Sequence, residues 1–379
     1  MPAEALFLFG TLRHPPLYRA VAGAPLRDIP ATLPGHAVTQ AVEPGGATLN
    51  FPLVVARAGA HAPGSLIRPD AAARVRLDLY EQVFGYDPEP VTVDTAEGPV
   101  EALFYRTRIG LWQPGPDWSL DRWAASQGDF AAEVAAEVMA LLDEAPPEAV
   151  RHRYGMLSSF VASRRRARAE AAPASVRRAP QAGDVAVEGR KVPYTRFFGV
   201  EENELRFRRF DGGLSPRVNR AAFVMADAVT LLPYDPVRDR VLVVEQFRFS
   251  PFVRGDANPW TLEAIAGRVD PAETPEGAAR REAVEEAALE LGALHKVGQY
   301  YPSPGAVTEY LYSYVGIADL PDGANGVHGL ETEAEDIRTH VLPFARLMEL
   351  AATGELDNGP LLLSAHWLAL NRERLRAGG

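Results

Sequence analysis

The sequence predicts two α+β domains joined by a basic segment, and three observations support this fold class. The chain has 379 residues, which is more than one hydrophobic core usually supports. In both halves, short apolar runs separated by Gly and Pro alternate with runs of helical periodicity. A stretch rich in Ala and Arg separates the halves. We therefore expect a first domain over residues 1–148, a basic helical linker over residues 149–187 and a second domain over residues 188–379.

The first domain is predicted to be a small, barrel-like α+β fold. Its opening run, ALFLFGTL, is apolar and closed by Gly10, which is typical of a core strand. A helical pattern, AAARVRLDLYEQVFG, precedes two predicted strands, EPVTVDT and VEALFYRT. The domain ends with a helix in QGDFAAEVAAEVMALLDE and a break at the prolines of APPEAV.

The linker contains the basic run SRRRARAEAAPASVRRAP. This composition indicates a solvated helix and a connection between the domains. Two alternatives stay open at this point: an arm that binds nucleic acid, and a segment that contacts the acidic domains.

The second domain begins with two predicted strands in KVPYTRFFGVEENELRFRRFDGG. The next segment, AAFVMADAVTLLPYDPVRDRVLVVEQFRF, predicts a β-hairpin whose turn is YDPVRD. A helix preceded by a glycine follows, and then the strands HKVGQYYPS and EYLYSYVGIA. An acidic loop, the strand IRTHVLP and two closing helices complete the pattern.

Composition excludes several functional classes. The formal net charge of −11 argues against a nucleic-acid partner, because binding along a phosphate backbone needs a basic face. The chain has no cysteine, which excludes disulfides, thiolate nucleophiles and zinc–thiolate sites. The N-terminal apolar run lacks a basic flank and reads as a buried strand, and no apolar run reaches the roughly 18 residues of a membrane helix. We expect a cytoplasmic protein without a membrane partner.

The run RREAVEEA, residues 280–287, concentrates carboxylates on one face of a predicted helix. Glu282, Glu285 and Glu286 lie at helical offsets of three and four, where like charges repel by about a few tenths of a kcal/mol per pair. Such a face is tolerable when a hard divalent cation such as Mg²⁺ binds to it, since this ion prefers oxygen ligands. We therefore expect a metal site at Glu282 and Glu286, with Glu285 beside them.

The surrounding spacing extends this pattern. Gly267 is followed after five residues by Glu273, and after seven more by Arg281, which is expected to pair with an acid and hold the loop on the helix. The string closely resembles the Nudix box, the signature of hydrolases of nucleoside diphosphates linked to another moiety. The resemblance spans about residues 190 to 375. It implies an α/β/α sandwich with a mixed sheet.

The resemblance also implies roles for these residues. Two or three Mg²⁺ ions, or Mn²⁺ as an alternative, would neutralise the diphosphate of the substrate. The implied metal ligands are Glu282, Glu285, Glu286 and the carbonyl oxygen of Ala266. Glu282 and Glu285 are therefore also expected among the catalytic residues.

One position departs from the family pattern. The family has glycine where this chain has Ala288, and that glycine ends the helix in a left-handed conformation. A residue with a Cβ adopts this conformation at a cost of about 1–2 kcal/mol. We therefore expect the helix to run on to Gly292.

Within the family, the chain looks most similar to the bacterial ADP-ribose pyrophosphatases. The loop YYPSPG places Pro304 15 residues past Leu289, and TLEAIAGRVD and GLETEAEDIRTHVLP resemble that branch in wording and order. The implied reaction is hydrolysis of ADP-ribose to AMP and ribose 5-phosphate. Two alternatives stay open: another substrate linked to a nucleoside diphosphate, such as a nucleotide sugar, and a non-catalytic nucleotide sensor.

Further site residues follow from the same resemblance. The general base is expected in the acidic loop at Glu333, with Glu331 and Glu335 as neighbours able to take the role. The residues expected to bind substrate are Arg248, Arg208 or Arg209, Pro304 and Glu309, with stacking of the adenine on Phe247 or a neighbouring aromatic ring. We expect His328 and His340 to be packing or surface residues. Relatives of this branch are dimers that exchange N-terminal strands, so a homodimer is expected.

The first domain resembles the γ-glutamylcyclotransferase-like proteins. FLFGTLR resembles their entry motif, where a strand ends in a glycine turn that binds a substrate carboxylate through backbone N–H groups. RLDLYEQVFGY places Glu81 at the position of their general acid/base. A ligand-binding or scaffolding domain on the same fold is the alternative. The fusion of the two modules resembles a tellurite-resistance-associated bacterial protein.

Overall fold

The computed structural model describes residues 4–107, 112–196, 198–323, 326–329 and 336–378. The chain divides into two compact units, Met1–Val161 and Ala162–Gly379, and each has its own hydrophobic core. Over the residues described, none of the helices has the length and apolar character needed to cross a membrane.

The first unit is built on a closed barrel. Its strands are β1 (Leu6–Leu8), β2 (Asp28–Val42), β3 (Thr48–Ile67), β4 (Tyr86–Thr95), β5 (Gly98–Thr107) and β6 (Gln113–Asp117). Five of them follow one another in the order β3-β1-β5-β4-β2, and pairing of β2 with β3 closes the ring. The sixth, β6, pairs with β2. Strand β1 is buried throughout, so the predicted core strand and barrel-like fold are confirmed.

Helices pack around this barrel. They are α1 (Pro15–Ala22), α2 (Ala71–Val83), α3 (Leu120–Trp123), α4 (Asp129–Leu142), α5 (Pro147–Arg151) and the first part of α6 (Tyr154–Ala169), whose residues after Val161 belong to the second unit. The Asp70 carboxylate begins α2 by accepting a hydrogen bond from the N–H of Ala73 at 2.8 Å. The buried side of α2 consists of Ala73, Leu77, Tyr80 and Val83, at helical spacing. This packing leaves Glu81 at a fixed place beside the barrel.

The first helices after residue 148 are not the solvated helix that the basic composition predicted. Val150, Leu157 and Val161 are buried in the core of the first unit. The Arg151 guanidinium donates to the carbonyl of Val83 at 2.5 Å. The expectation was wrong here because apolar residues at helical spacing alternate with the arginines, and these residues supply a buried face.

The second unit contains two sheets. A three-stranded antiparallel sheet comprises β7 (Val185–Thr195), β8 (Gly199–Phe207) and β9 (Val218–Val224). The larger sheet comprises β10 (Ala228–Asp235), β11 (Arg240–Phe247), β12 (Trp260–Glu263), β13 (Ile265–Arg268), β14 (Leu294–Tyr300), β15 (Leu311–Ile317), β16 (Val327–His328) and β17 (Ile337–Pro343). Its order is β14-β15-β10-β11-β17-β16, with β12 on β11 and β13 on β10. The β10–β15 pair is parallel and the other pairs are antiparallel, so the sheet is mixed.

The large sheet is covered on both faces. The helices of this unit are α7 (Phe249–Arg254), α8 (Pro275–Ala287), α9 (Phe344–Thr353) and α10 (Gly359–Arg376). Leu231 packs in one core with the alanines of α8, whereas its neighbour Leu232 packs in another with α9 and α10. Consecutive strand residues point to opposite faces, so both faces are apolar. The predicted α/β/α sandwich is confirmed.

The predicted hairpin is formed by β10 and β11. Its turn is stabilised by the Asp235 carboxylate, which accepts hydrogen bonds from the N–H groups of Val237 and Arg238 at 2.9 and 3.0 Å. The beginning of the predicted hairpin segment, residues 221–224, belongs instead to β9 in the smaller sheet. Alternation alone does not distinguish these two sheets.

Candidate functional site

Helix α8 begins and ends at defined caps. The Thr274 hydroxyl accepts a hydrogen bond from the N–H of Gly277 at 3.1 Å, and the helix stops at Ala287. Ala288 is left-handed, with φ 51° and ψ 36°. Its N–H and that of Leu289 each donate to helix carbonyls at 3.0 Å. The expected extension to Gly292 was wrong, because this double hydrogen bond caps the helix in spite of the Cβ on Ala288.

Two of the predicted acids are buried against the strand that precedes the helix. Glu282 is 8% exposed and Glu286 is 3% exposed. Glu286 Oε2 lies 3.4 Å from the backbone N of Ala266 on β13. A Cβ added at Gly267 would lie 1.7 Å from Glu282 Oε1, so this carboxylate fills the space that any side chain would need. The glycine of the box is therefore required for steric reasons.

Arg281 joins the acids of the site, as the sequence predicts. Its Nη1 donates to Glu282 Oε1 at 2.7 Å and to Glu285 Oε2 at 3.0 Å. Its Nε and Nη2 donate to the Glu273 carboxylate at 3.1 and 3.0 Å, and Nη2 also donates to the Arg268 carbonyl at 3.0 Å. Burial lowers the pKa of Arg281, but hydrogen bonds and charges from Glu273 and Glu282 outweigh this and raise it. The loop before α8 is thereby fixed to the helix.

The donor set of the site fits a hard divalent cation in its chemistry. Four carboxylates, those of Glu273, Glu282, Glu285 and Glu286, and the one guanidinium of Arg281 carry a formal charge of −3. All of the donors are oxygens, and two are almost excluded from water. As far as the structure describes the chain, no three His, Asp or Glu side chains are arranged so that they could hold one metal ion together. Glu282 and Glu285 are turned toward Arg281.

A second group forms around Arg248, at the end of β11. Its Nε and Nη2 donate to the two oxygens of Glu263 at 2.8 and 2.7 Å. Burial raises the pKa of Glu309, and the nearby charge of Arg248 partly offsets this. The predicted residues Arg248 and Glu309 are thus close in space. Sequence reasoning missed Glu263, and its only signal was an acid at the end of the apolar strand WTLE.

The other predicted substrate residues occupy different places. Pro304 is exposed in a turn closed by a hydrogen bond from Ala306 N to Ser303 O at 3.0 Å. Arg208, at the end of β8, pairs with Asp184 at 3.3 Å and donates to the Gly212 carbonyl at 3.0 Å. These partners of Arg208 lie at the ends of the small sheet and not on α8.

The remaining residues predicted for the second unit are three acids, an aromatic residue and two histidines. Glu331, Glu333 and Glu335 lie outside the described residues. Phe247 is half-exposed, and its ring contacts those of Phe252 and Trp260 at 6.1 and 5.7 Å between centroids. His340 Nε2 lies 2.8 Å from Glu245 Oε2. His328, on β16, has its ring against Gly326.

In the first unit, Glu81 lies on α2 among aromatic rings. Burial, together with the charge of Asp78 one turn earlier, raises the pKa of Glu81 to about 8. Asp78 accepts hydrogen bonds from Arg74 Nε at 2.9 and 3.0 Å and from the Tyr105 hydroxyl at 2.8 Å. Burial and then the Glu81 charge raise the pKa of the Tyr105 hydroxyl. A carboxyl group that titrates near neutrality is suited to proton transfer.

Comparisons with known proteins agree with both units. A family model described as "NUDIX domain" matches residues 225–363, and one described as "Gamma-glutamyl cyclotransferase, AIG2-like" matches residues 6–124. The ADP-ribose pyrophosphatase of Escherichia coli (strain K12) is 37% identical over 193 residues, which are 51% of this chain and 91% of that protein. The GDP-mannose pyrophosphatase of Salmonella arizonae is 34% identical over 155 residues, 41% of this chain and 80% of that protein.

A solved structure, described as the crystal structure of an ADP compounds hydrolase, is 21% identical with a TM-score of 0.38. The match covers 50% of this chain and 97% of the chain of that solved structure.

Proposed function

Because this chain belongs to the Nudix hydrolases, we propose that its second unit hydrolyses the diphosphate of ADP-ribose to AMP and ribose 5-phosphate in the presence of Mg²⁺. The observation that carries the proposal is the burial of Glu282 and Glu286 against β13, with Glu282 packed onto Gly267. The choice of ADP-ribose rests on the 37% identity to an enzyme named for that substrate.

The residues proposed to hold the cation are Glu282, Glu286, Glu285 and the carbonyl oxygen of Ala266. When bound there, Mg²⁺, or Mn²⁺ in its place, would neutralise the diphosphate oxygens and polarise the phosphorus. The positions of these acids are fixed by their neighbours. The backbone of Ala266 and Gly267 holds Glu286 and Glu282, and Arg281 orients Glu285.

Proton transfer and substrate binding are assigned to residues at the edges of this site. Glu333 is proposed to take the proton of the attacking water. Arg248 is proposed to bind the diphosphate, since a planar guanidinium matches the geometry of phosphate oxygens. The charge of Arg248 acts on the carboxyl of Glu309, and Glu309 is also proposed to bind the substrate. Pro304 and Arg208 are also proposed to bind the substrate.

The test incubates the full chain with ADP-ribose and either Mg²⁺ or Mn²⁺ and separates the products by chromatography. We expect AMP and ribose 5-phosphate in equal amounts, and no turnover after removal of divalent ions by a chelator. Absence of AMP with every divalent ion tried, together with retained nucleotide binding, would instead make the unit a non-catalytic sensor.

A second substrate class is favoured by one observation, the 34% identity to a GDP-mannose pyrophosphatase. Hydrolysis of a nucleotide sugar would use the same acids on the same diphosphate. Comparing kcat/KM for ADP-ribose, GDP-mannose and a dinucleoside polyphosphate under one set of conditions discriminates between them. The proposal requires ADP-ribose to give the highest value.

For the first unit we propose γ-glutamyl cyclotransfer with Glu81 as the general acid/base. The supporting observation is the pKa of about 8 for this carboxyl. With this pKa, the group can both give and accept a proton near neutral pH, as a general acid/base must. The assay is release of 5-oxoproline from γ-glutamyl amino acids, which should be lost in Glu81→Gln. Binding of a γ-glutamyl compound without release would indicate a ligand-binding domain on the same fold.

We also propose that the chain is a homodimer through the second unit. The small sheet supports this, because its outer strand β7 exposes the side chains of Val185 and Val187 to solvent.

A further inference from the structure

The end of α6 makes buried polar contacts within the second unit. The hydroxyl of Ser163 accepts a hydrogen bond from the backbone N–H of Asp227 at 2.8 Å. Arg166 Nε donates to Asp227 Oδ2 at 2.7 Å, and the two side chains are 18% and 6% exposed. Solvent screens such a pair weakly, so it fixes the end of α6 at the start of β10.

This ion pair lies beside the segment that opens the Nudix box. The N–H of Val269 donates to the carbonyl of Asp227 at 3.0 Å, and Arg166 Nη2 donates to the Val269 carbonyl at 3.4 Å. The residue before it, Arg268, accepts through its carbonyl from Arg281 Nη2 at 3.0 Å. Two guanidinium groups, one from α6 and one from α8, therefore fix two consecutive carbonyls directly after the box glycine.

A second contact joins the residue that follows α6 to the central strands. The Tyr312 hydroxyl donates to the Glu170 carboxylate, and Gln299 Nε2 donates to the same carboxylate at 3.4 Å. Tyr312 on β15 lies opposite Val229 on β10. Residues 163–170 therefore bond to β14 and β15 and to the ends of β10 and β13.

We propose that Arg166 is a positioning residue for the reaction of the second unit, although it lies outside the residues matched by the NUDIX family model. It acts through Asp227 and the Val269 carbonyl, which hold β13 in place and with it the Gly267 backbone against which Glu282 packs. This inference rests on the proposed hydrolase function. It also assigns a task to one arginine of the basic segment: contact with the acidic second unit.

The test uses the full chain and compares Arg166→Met with Arg164→Met. Arg164 is a matched control because it lies on the same helix and loses the same charge, whereas it pairs with Glu201 of the small sheet at 3.3 Å. Four quantities are measured for each variant: kcat for ADP-ribose, KM for ADP-ribose, the Mn²⁺ dissociation constant from the electron paramagnetic resonance signal of the free ion, and the thermal unfolding midpoint.

We expect kcat to fall and the Mn²⁺ dissociation constant to rise in Arg166→Met by about tenfold or more, the size typical of residues that orient metal ligands. KM should change much less, since Arg166 bonds to Asp227 and the Val269 carbonyl and is not among the residues proposed to bind the substrate. In Arg164→Met, kcat and the Mn²⁺ dissociation constant should both stay within about twofold of the wild type, because a partly exposed ion pair contributes little.

A purely structural role is separated by combining Arg166→Met with Asp227→Asn. Asparagine removes the buried charge that the lost arginine leaves behind, so the unfolding midpoint should recover. We expect kcat and Mn²⁺ affinity to stay low, because the Val269 carbonyl still lacks its donor. Recovery of kcat and Mn²⁺ affinity together with the unfolding midpoint would overturn the proposal. Equal kcat and Mn²⁺ affinity in Arg166→Met and Arg164→Met would overturn it as well. If the wild type makes no AMP, the proposed function fails, and Mn²⁺ binding alone decides the role of Arg166.

Discussion

At the scale of single residues, Glu282 and Glu286 are expected to carry the chemistry of the second unit. In Glu282→Gln and Glu286→Gln the side chain keeps its size but loses the charge that is proposed to bind a cation. Charge stabilisation by a metal contributes several kcal/mol, and about 1.4 kcal/mol is a factor of ten, so kcat/KM should fall by about 100-fold or more. Steady-state kinetics with ADP-ribose at saturating Mg²⁺ measure this.

The control for these variants is Glu290→Gln, which removes an exposed carboxylate shortly after the same helix. Its kcat/KM should match the wild type. Full activity in both Glu282→Gln and Glu286→Gln would be incompatible with a metal site at these acids.

The raised pKa of Glu81 should make the stability of the first unit depend on pH. Its pKa is raised from 4.5 to about 8 by burial and by Asp78. Between these values the folded state retains a proton that the unfolded chain releases, so the free energy of unfolding decreases as pH rises and levels off above about 8. Glu81→Gln cannot ionise, so this decrease should largely disappear in the variant.

Thermal unfolding midpoints of the first unit, measured from about pH 5 to about pH 9, check this prediction. The control is Glu97→Gln, which changes an exposed carboxylate in the same unit and should keep the wild-type slope. Equal slopes for wild type and Glu81→Gln would show that Glu81 titrates in the folded state as it does in the unfolded chain.

Residue roles could be predicted from sequence where the partners are close along the chain. Arg281 and Glu273 are eight residues apart and form the expected ion pair. Glu263 escaped prediction because its contact with Arg248 arises only when β11 and β12 pair, through the register of Phe247 opposite Trp260. Propensity and spacing contain no information on such a register.

At the scale of elements, the end of α8 is a point of backbone strain. Ala288 has φ 51°, a left-handed conformation that glycine adopts freely. Ala288→Gly removes a strain of about 1–2 kcal/mol and adds unfolded-state entropy of about 0.4–1 kcal/mol, so it should stabilise the second unit by about 1 kcal/mol. Denaturant unfolding measures the change in the free energy of unfolding.

The same chemical change made inside a helix should have the opposite sign. Ala369 is exposed in the middle of α10, and Ala369→Gly should destabilise by about 1 kcal/mol because glycine is a poor helix former. A loss of stability in Ala288→Gly similar to that in Ala369→Gly would mean that Ala288 is not strained.

Elements whose apolar residues recur with a clear helical or strand period could be predicted from the sequence. Features that depend on packing against other elements could not. The barrel strands β1, β4 and β5, the β10–β11 hairpin and α8 follow from apolar runs, alternation or helical spacing. The burial of α6 was not predicted, because four arginines between residues 164 and 168 dominate the end of the helix, while Leu157 and Val161 supply the buried face. Membership of β9 in a separate sheet also depends on long-range pairing.

At the scale of the whole molecule, the two modules were recognisable because each contains its own local motif. Gly10 follows closely after the first strand of the barrel, and Gly267 opens the segment that ends at Glu286. The residues that the sequence left unassigned, Asp227 and Arg166, are 61 residues apart and meet only in the folded chain. Local motifs thus predict the units, whereas contacts between residues far apart along the chain could not be predicted from the sequence.

The small sheet leads to a prediction about the assembly. Val185 and Val187 lie opposite Phe207 and Leu205 in the β7–β8 register, so their side chains share one face of the sheet. Val185, Val187 and Phe207 are 58%, 60% and 40% exposed, which makes this face apolar. Within the described chain β7 pairs with β8 alone, which leaves one edge for another copy.

Replacing Val185 and Val187 together by Asp should therefore convert a homodimer into a monomer, because two charges would have to leave water at the interface. Size-exclusion chromatography with light scattering at micromolar concentration measures the mass. The control is Val237→Asp, an equally apolar and 82% exposed residue in the β10–β11 turn, which should leave the dimer intact. A monomeric wild type, or a double variant that stays dimeric, would exclude this face as the interface. In a dimer built this way, β7 would be covered by its partner, and the exposed valines would have a physical reason.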